Sequence, residues 1–171
     1  MQDIRLTPTS YIVLGLLELG GESTPYRLKQ LVAGSVGYFW TLQHAQLYTE
    51  PARLAEAGYV TETREETGRR RRLYSITERG RRALHDWRTE ATTDLAELRE
   101  PALLKLFFGA DPARLAPVQL EAHRRKLAEY EQLRDTMPES VPEGPRVTLE
   151  AGIANERHQV SWWEAIMVSH T

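Results

Sequence analysis

Four consecutive arginines, Arg69, Arg70, Arg71 and Arg72, stand directly before the alternating stretch LYSIT. A guanidinium keeps its charge and donates a planar fork of hydrogen bonds, a geometry that suits phosphate. Residues 68–82 hold seven arginines against one glutamate, although the chain as a whole carries a formal net charge of -2. A polyanion responds to that local field. On a plain solvated surface such a run would only aid solubility. On a β-hairpin that follows a helix-turn-helix pattern it reads as a wing gripping a phosphate backbone. Alternation along a strand keeps all four side chains from pointing at the same backbone.

A second group sits upstream in TLQHAQLY, residues 41–48. Gln43, His44, Gln46 and Thr49 are compact, polar and uncharged, and the pattern places them near the N-terminal end of a helix. Glutamine can pair bidentately with adenine in the major groove, and the first turns of a recognition helix reach base edges. The plainer reading is an ordinary exposed helix face, and it is the basic hairpin downstream that favours DNA.

Other chemistries find no such grouping. The histidines at 44, 85, 123, 158 and 170 lack metal-ligand spacing, so no metal is expected. The absence of cysteine excludes disulfides and thiolate nucleophiles. No GxSxG, P-loop or GxGxxG motif occurs, and the acidic residues alternate with Arg and Lys as on solvated helices. Neither an enzyme nor a cofactor is indicated. Trp87, Phe107, Phe108, Trp162 and Trp163 could line an apolar effector pocket, although aromatics at helical spacing more often form a core or a dimer seam.

These groups need elements to hold them. Length and composition, 171 residues with 41% hydrophobic and 27% charged, fit a folded soluble protein. No apolar run approaches a membrane span and no signal-peptide pattern opens the chain, which makes the cytoplasm the expected location. Three helical stretches come first, with Tyr11, Leu14 and Leu17 striping the first, Pro25 opening the second, and Leu47, Leu54 and Ala55 facing inward on the third. Pro51 lies in that third stretch, where it should start or kink a helix. YVTET and RRLYSIT then alternate as strands around Gly68, with Tyr74 and Ile76 on one face. Thr77 caps a fourth helix. This is a winged helix-turn-helix pattern over residues 1–85.

Residues 86–171 read as all helical. EPALLKLFFG is short and nearly all apolar, which predicts burial on several sides. PVQLEAHRRKLAEYEQLRDTM is expected to begin at Pro117 and to align Leu120, Leu127, Tyr130 and Met137. MPESVPEGPR is a loop, and the final helix carries Leu149, Ile153, Val160, Trp163 and Met167 on one side.

With these segments in place, the sequence resembles the PadR family of bacterial transcriptional regulators over nearly its whole length. FWTLQHAQLY, RLAEAGYV and RRRRLYSITERGRRAL resemble that family's recognition-helix approach, its helix end and its wing exit. LLKLFFG and WWEAI resemble the longer subgroup, which carries an extra helical dimerisation domain. The resemblance implies a homodimeric repressor on a pseudo-palindromic DNA operator, in some members released by a phenolic or drug-like molecule. It also implies that the Tyr26 and Tyr48 hydroxyls contact phosphate while Gln43, His44 and Gln46 enter the groove. The expected architecture is mainly α: a winged helix with a β-hairpin wing, then an all-helical dimerisation domain. A contrasting expectation, suggested by Pro51, is a winged helix that has become a protein-interaction module.

Overall fold

Thr7 begins the first helix by a reciprocal exchange with Ser10, in which the Thr7 backbone N–H donates to Ser10 Oγ at 2.8 Å and the Thr7 side chain accepts from Ser10 N. This capping box satisfies amides that a helix start would otherwise orphan. The structure, a computed structural model, describes residues 4–65 and 71–170. The chain separates into two units, Met1–Asp94 and Leu95–Thr171.

In the first unit, α1 (Pro8–Gly20) is followed by α2 (Pro25–Ala33), a single 3-10 turn at Val36–Tyr38, and α3 (Gln46–Glu56). Thr24 caps α2 through a hydrogen bond from Arg27 N, with Pro25 in the first turn as its fixed φ favours. Strands β1 (Val60–Arg64) and β2 (Arg72–Ile76) pair antiparallel, Val60 opposite Ile76 and Arg64 opposite Arg72. Ser23 adds a bridge to Tyr74 through two backbone hydrogen bonds of 3.0 and 2.9 Å. Helix α4 (Glu78–Thr89) closes the unit, capped by Thr77. Its core gathers Leu14, Leu17, Leu28, Leu47, Leu54, Val60, Tyr74 and Leu84, all almost wholly buried.

Two glycines are required by geometry. Gly58 ends α3 at φ +78°, a backbone region that L side chains rarely adopt. Gly80 lets α4 approach the start of β1, since a Cβ there would lie 2.2 Å from the Tyr59 carbonyl oxygen. Beside it, Arg79 donates to the Ala57 carbonyl at 2.9 Å and stacks its guanidinium 4.3 Å from the Tyr59 ring centroid.

The second unit contains α5 (Pro101–Phe107), α6 (Pro112–Asp135) and α7 (Glu143–Ser169). Helices α6 and α7 run antiparallel, tied by Arg124–Glu164 and Arg157–Glu131, each at 2.6 Å, and by His123 Nδ1 to Glu156 Oε2 at 2.7 Å. Ala102, Ala116, Leu120 and Trp163 form the buried centre. Helix α6 starts earlier than expected, because Asp111 caps it through Ala113 N and Pro112 occupies the first turn. Pro117 is therefore interior.

The expected burial of α5 does not occur within the single chain. Ala102 is buried, but Leu104, Phe107 and Phe108 are 61%, 82% and 78% exposed. Seven residues make only two turns, and one side of them is all that the rest of the unit covers.

Candidate nucleic-acid interface

Helix α3 begins at Gln46, not within the preceding TLQHA. Ala45 stands at the N-cap and has no side-chain acceptor to offer. The amides of Gln46, Leu47 and Tyr48 instead bond three residues back, to Gln43, His44 and Ala45 carbonyls at 2.9, 3.2 and 3.1 Å. Gln43 and His44 consequently occupy the turn just ahead of the helix, Gln46 its first position, and Tyr48 and Thr49 the next turn. All five are exposed. Gln46 and Thr49 share one face of the helix and Tyr48 lies further round, while Leu47 among them is wholly buried. Tyr26, second residue of α2, is also exposed, at 62%.

Arg69 and Arg70 lie outside the described residues. Arg72 shares a face with Tyr74 and Ile76, and Arg71, just ahead of β2, accepts from the Glu65 amide through its carbonyl at 3.1 Å. Arg72 sits 3.5 Å from Glu62, and Arg64, directly across the ladder, lies 3.6 Å from the same carboxylate. Glu62 is itself fixed by the Tyr74 hydroxyl at 3.0 Å. The Tyr74 hydroxyl first, and then Glu62, favour the charged form of Arg72. Two like charges facing each other across a ladder repel, and a carboxylate between them offsets that repulsion. Both arginine side chains remain more than half exposed. Arg64 did not stand out in the sequence. Its signal was the antiparallel register, which sets it opposite Arg72.

Pro51 does not start α3; the helix continues through it to Glu56. Around it lies a polar network that the sequence did not disclose. Glu50, only 9% exposed, accepts from Arg53 Nε at 2.9 Å, from Arg53 Nη2 at 2.6 Å and from Ser10 Oγ at 2.5 Å. Arg53 also donates to Ser10 Oγ at 3.0 Å and to the Arg5 carbonyl at 3.3 Å. Burial alone would raise the Glu50 carboxyl, but the Arg53 and Ser10 hydrogen bonds prevail and hold it below the usual carboxylate range.

The aromatic candidates fall in both units. Trp87 stacks flat on Tyr11, with centroids 4.6 Å apart and planes 8° from parallel. The cavity beside it, about 310 Å³, is lined by Trp87 and by the chain segment Glu90 to Asp94. In the second unit Trp162 meets Trp163 edge-on at 4.5 Å, and Phe107 meets Phe108 the same way at 5.2 Å. Trp163 is completely buried, while both phenylalanines project outward. Among the described residues no cluster of three His, Asp or Glu could hold a metal ion, and no helix is long and apolar enough to cross a membrane.

Comparison with known proteins matches residues 13–86 to the family described as Transcriptional regulator PadR-like, and residues 98–167 to Virulence activator alpha C-term. The chain is 29% identical over 172 aligned residues to the negative transcriptional regulator PadR of Bacillus subtilis, covering 92% of this chain and 94% of that one. The solved structure of Bacillus subtilis PadR in complex with operator DNA matches with a TM-score of 0.83 at 26% identity, over 95% of this chain and 98% of that one. The same regulator in complex with p-coumaric acid matches with a TM-score of 0.77 at 25% identity, over 96% and 98%.

Proposed function

The chain belongs to the PadR-like family of transcriptional regulators, and we propose that it acts as a cytoplasmic repressor, binding a pseudo-palindromic operator in double-stranded DNA as a homodimer. The observation that carries this reading is the exposure of the uncharged residues Gln43, His44, Gln46, Tyr48 and Thr49 at and just before the start of α3, in the same unit as the arginine hairpin. In this reading Gln43, His44, Gln46 and Thr49 meet base edges, where hydrogen-bonding patterns distinguish the pairs. Tyr26 and Tyr48 meet phosphate through their hydroxyls, as do Arg69, Arg70, Arg71 and Arg72 through their guanidinium groups. Residues 1–85 supply this DNA-binding part and residues 86–171 the dimerisation part. The outward apolar side of α5 supports a second protomer as its cover, and two-fold symmetry would space the half-sites by one turn of DNA, about 34–36 Å. No chemical transformation is assigned to the chain.

A small phenolic effector follows from the p-coumaric acid complex of the Bacillus subtilis relative. Trp87 in the first unit, and Phe107, Phe108 and Trp162 in the second, are aromatic groups accessible to such a ring, whereas Trp163 is buried. Such a ligand can release DNA only if it binds the non-binding conformation more tightly. The test is selection of bound duplexes from random DNA, followed by fluorescence anisotropy on the selected and on scrambled duplexes, with and without p-coumarate. Preference for the selected sequence, reduced by p-coumarate, is expected. Equal binding to both duplexes would remove the operator reading, and binding to neither would favour the interaction-module reading.

A further inference from the structure

We propose that Glu50 is a positioning residue for base recognition: with Arg53 and Ser10 it clamps the reading half of α3 across Pro51. The inference rests on α3 being the recognition helix. It starts from a deficit in backbone bonding. The first turn of α3 has no side-chain cap, and its amides are satisfied by bonds three residues back, with Thr49 the first to bond four back. Pro51 lacks an amide hydrogen, so the Leu47 carbonyl loses the partner that a helix normally supplies four residues on. The stretch that would meet DNA is thus joined to the rest of α3 with one backbone bond missing.

The side chains on either side of Pro51 compensate. Glu50 and Arg53 are three positions apart and so lie on one face, spanning the proline with two charge-assisted hydrogen bonds. Both reach Ser10, which is completely buried. Ser10 is a fixed post, because its hydroxyl oxygen also accepts the Thr7 amide that starts α1. Arg53 extends the tie to the Arg5 carbonyl, ahead of α1. The clamp therefore fixes the roll of α3 relative to α1, from the same stripe of the helix that carries Gln46, four residues before Glu50 and seven before Arg53.

Rotation about the helix axis moves base-reading groups off their partners, whereas phosphate contacts from the hairpin do not depend on it. Substituting Glu50→Gln keeps the size and one acceptor but loses the charge that organises Arg53. The expected result is a loss of about tenfold in preference for a selected operator duplex over a scrambled one, within the range of one base contact. Affinity for the scrambled duplex and the salt dependence of binding should stay as they were. Ser10→Ala should do the same, and the double substitution should cost little more than either alone, since both remove one unit. Amide exchange of residues 46–50, recorded by NMR on the folded variants, should quicken while that of α4 does not.

Unchanged operator preference in a folded Glu50→Gln protein would overturn the proposal. So would an equal loss on both duplexes, which would mark a general defect, or strictly additive effects of the two substitutions. If the unsubstituted protein itself shows no preference for any selected duplex, the recognition-helix reading fails first and takes this inference with it. Should Glu50→Gln not fold, Ser10→Ala alone decides by the same measurements.

Discussion

Replacing Arg72 by alanine separates electrostatic grip from sequence reading. Arg72 is more than half exposed, shares Glu62 with Arg64 and faces no base-reading group of α3 in its ion pairing. If it holds one phosphate per wing, a dimer on DNA loses two contacts. Each contact contributes about 0.9 to the slope of log K against log salt, so the slope should fall by about 1.8. Between 50 and 200 mM salt the wild-type advantage should then shrink by about 12-fold, the fourfold salt change raised to that power. The loss should be the same on operator and scrambled duplexes. Gln46→Ala should show the reverse pattern: an unchanged slope, and loss of roughly 1–3 kcal/mol of discrimination for the operator. Fluorescence anisotropy across a salt series, on both duplexes and both variants, reads every term. An Arg72 variant with unaltered slope, or one that loses only operator preference, would refute the phosphate assignment. An altered slope in the Gln46 variant would refute the base assignment.

Glu62→Gln, which keeps an acceptor for the Tyr74 hydroxyl while freeing Arg64 and Arg72, should tighten binding to all duplexes alike in the same assay. Gly80→Ala places a methyl group against the Tyr59 carbonyl and Ile76, and should lower stability by about 1–3 kcal/mol in urea unfolding followed by tryptophan fluorescence. The Glu50 carboxyl is lowered in the folded state, so its contribution is present above the ordinary glutamate pKa near 4.3 and is lost as pH falls through the lower folded value. The urea midpoints of wild type and Glu50→Gln should accordingly differ at pH 7 and draw together only as the pH is lowered below about 4.3. Charging the exposed side of α5 with Phe107→Glu and Phe108→Glu should shift the protein to a monomer at micromolar concentration in sedimentation equilibrium.

What could be read from the sequence was what neighbouring residues decide among themselves. Thr77 marked the start of α4 because a helix opening needs a capping side chain. Tyr74 and Ile76 showed their common face by alternation alone. Errors arose where two local signals competed or where a signal was missing. Pro112 and Pro117 both resemble a helix opening, and Asp111 decides for the first by capping it. At α3 no capping side chain marks the start, so Gln43 and His44 were drawn into the helix. The apolar string of α5 suggested burial, yet apolar composition does not tell which molecule covers a surface. In the candidate site, Arg64 and the Ser10–Glu50 contact depended on register and on a partner 40 residues away, which no local pattern encodes.

The bridge between Ser23 and Tyr74 has a consequence for the order of assembly. It joins positions 51 residues apart along the chain by two backbone hydrogen bonds. Closing a flexible loop of that length costs about 3.5 kcal/mol in chain entropy beyond a constant, more than the net return of two hydrogen bonds at about 0.5–1.5 kcal/mol each. Formation of α2, α3 and the hairpin shortens the free path between the two ends, and only then does the bridge become favourable. It belongs to the late side of the folding barrier, where loss of a contact speeds unfolding and leaves the folding rate nearly unchanged. A proline at position 23, which removes one of the two bonds, should therefore show its effect on the unfolding arm of the chevron.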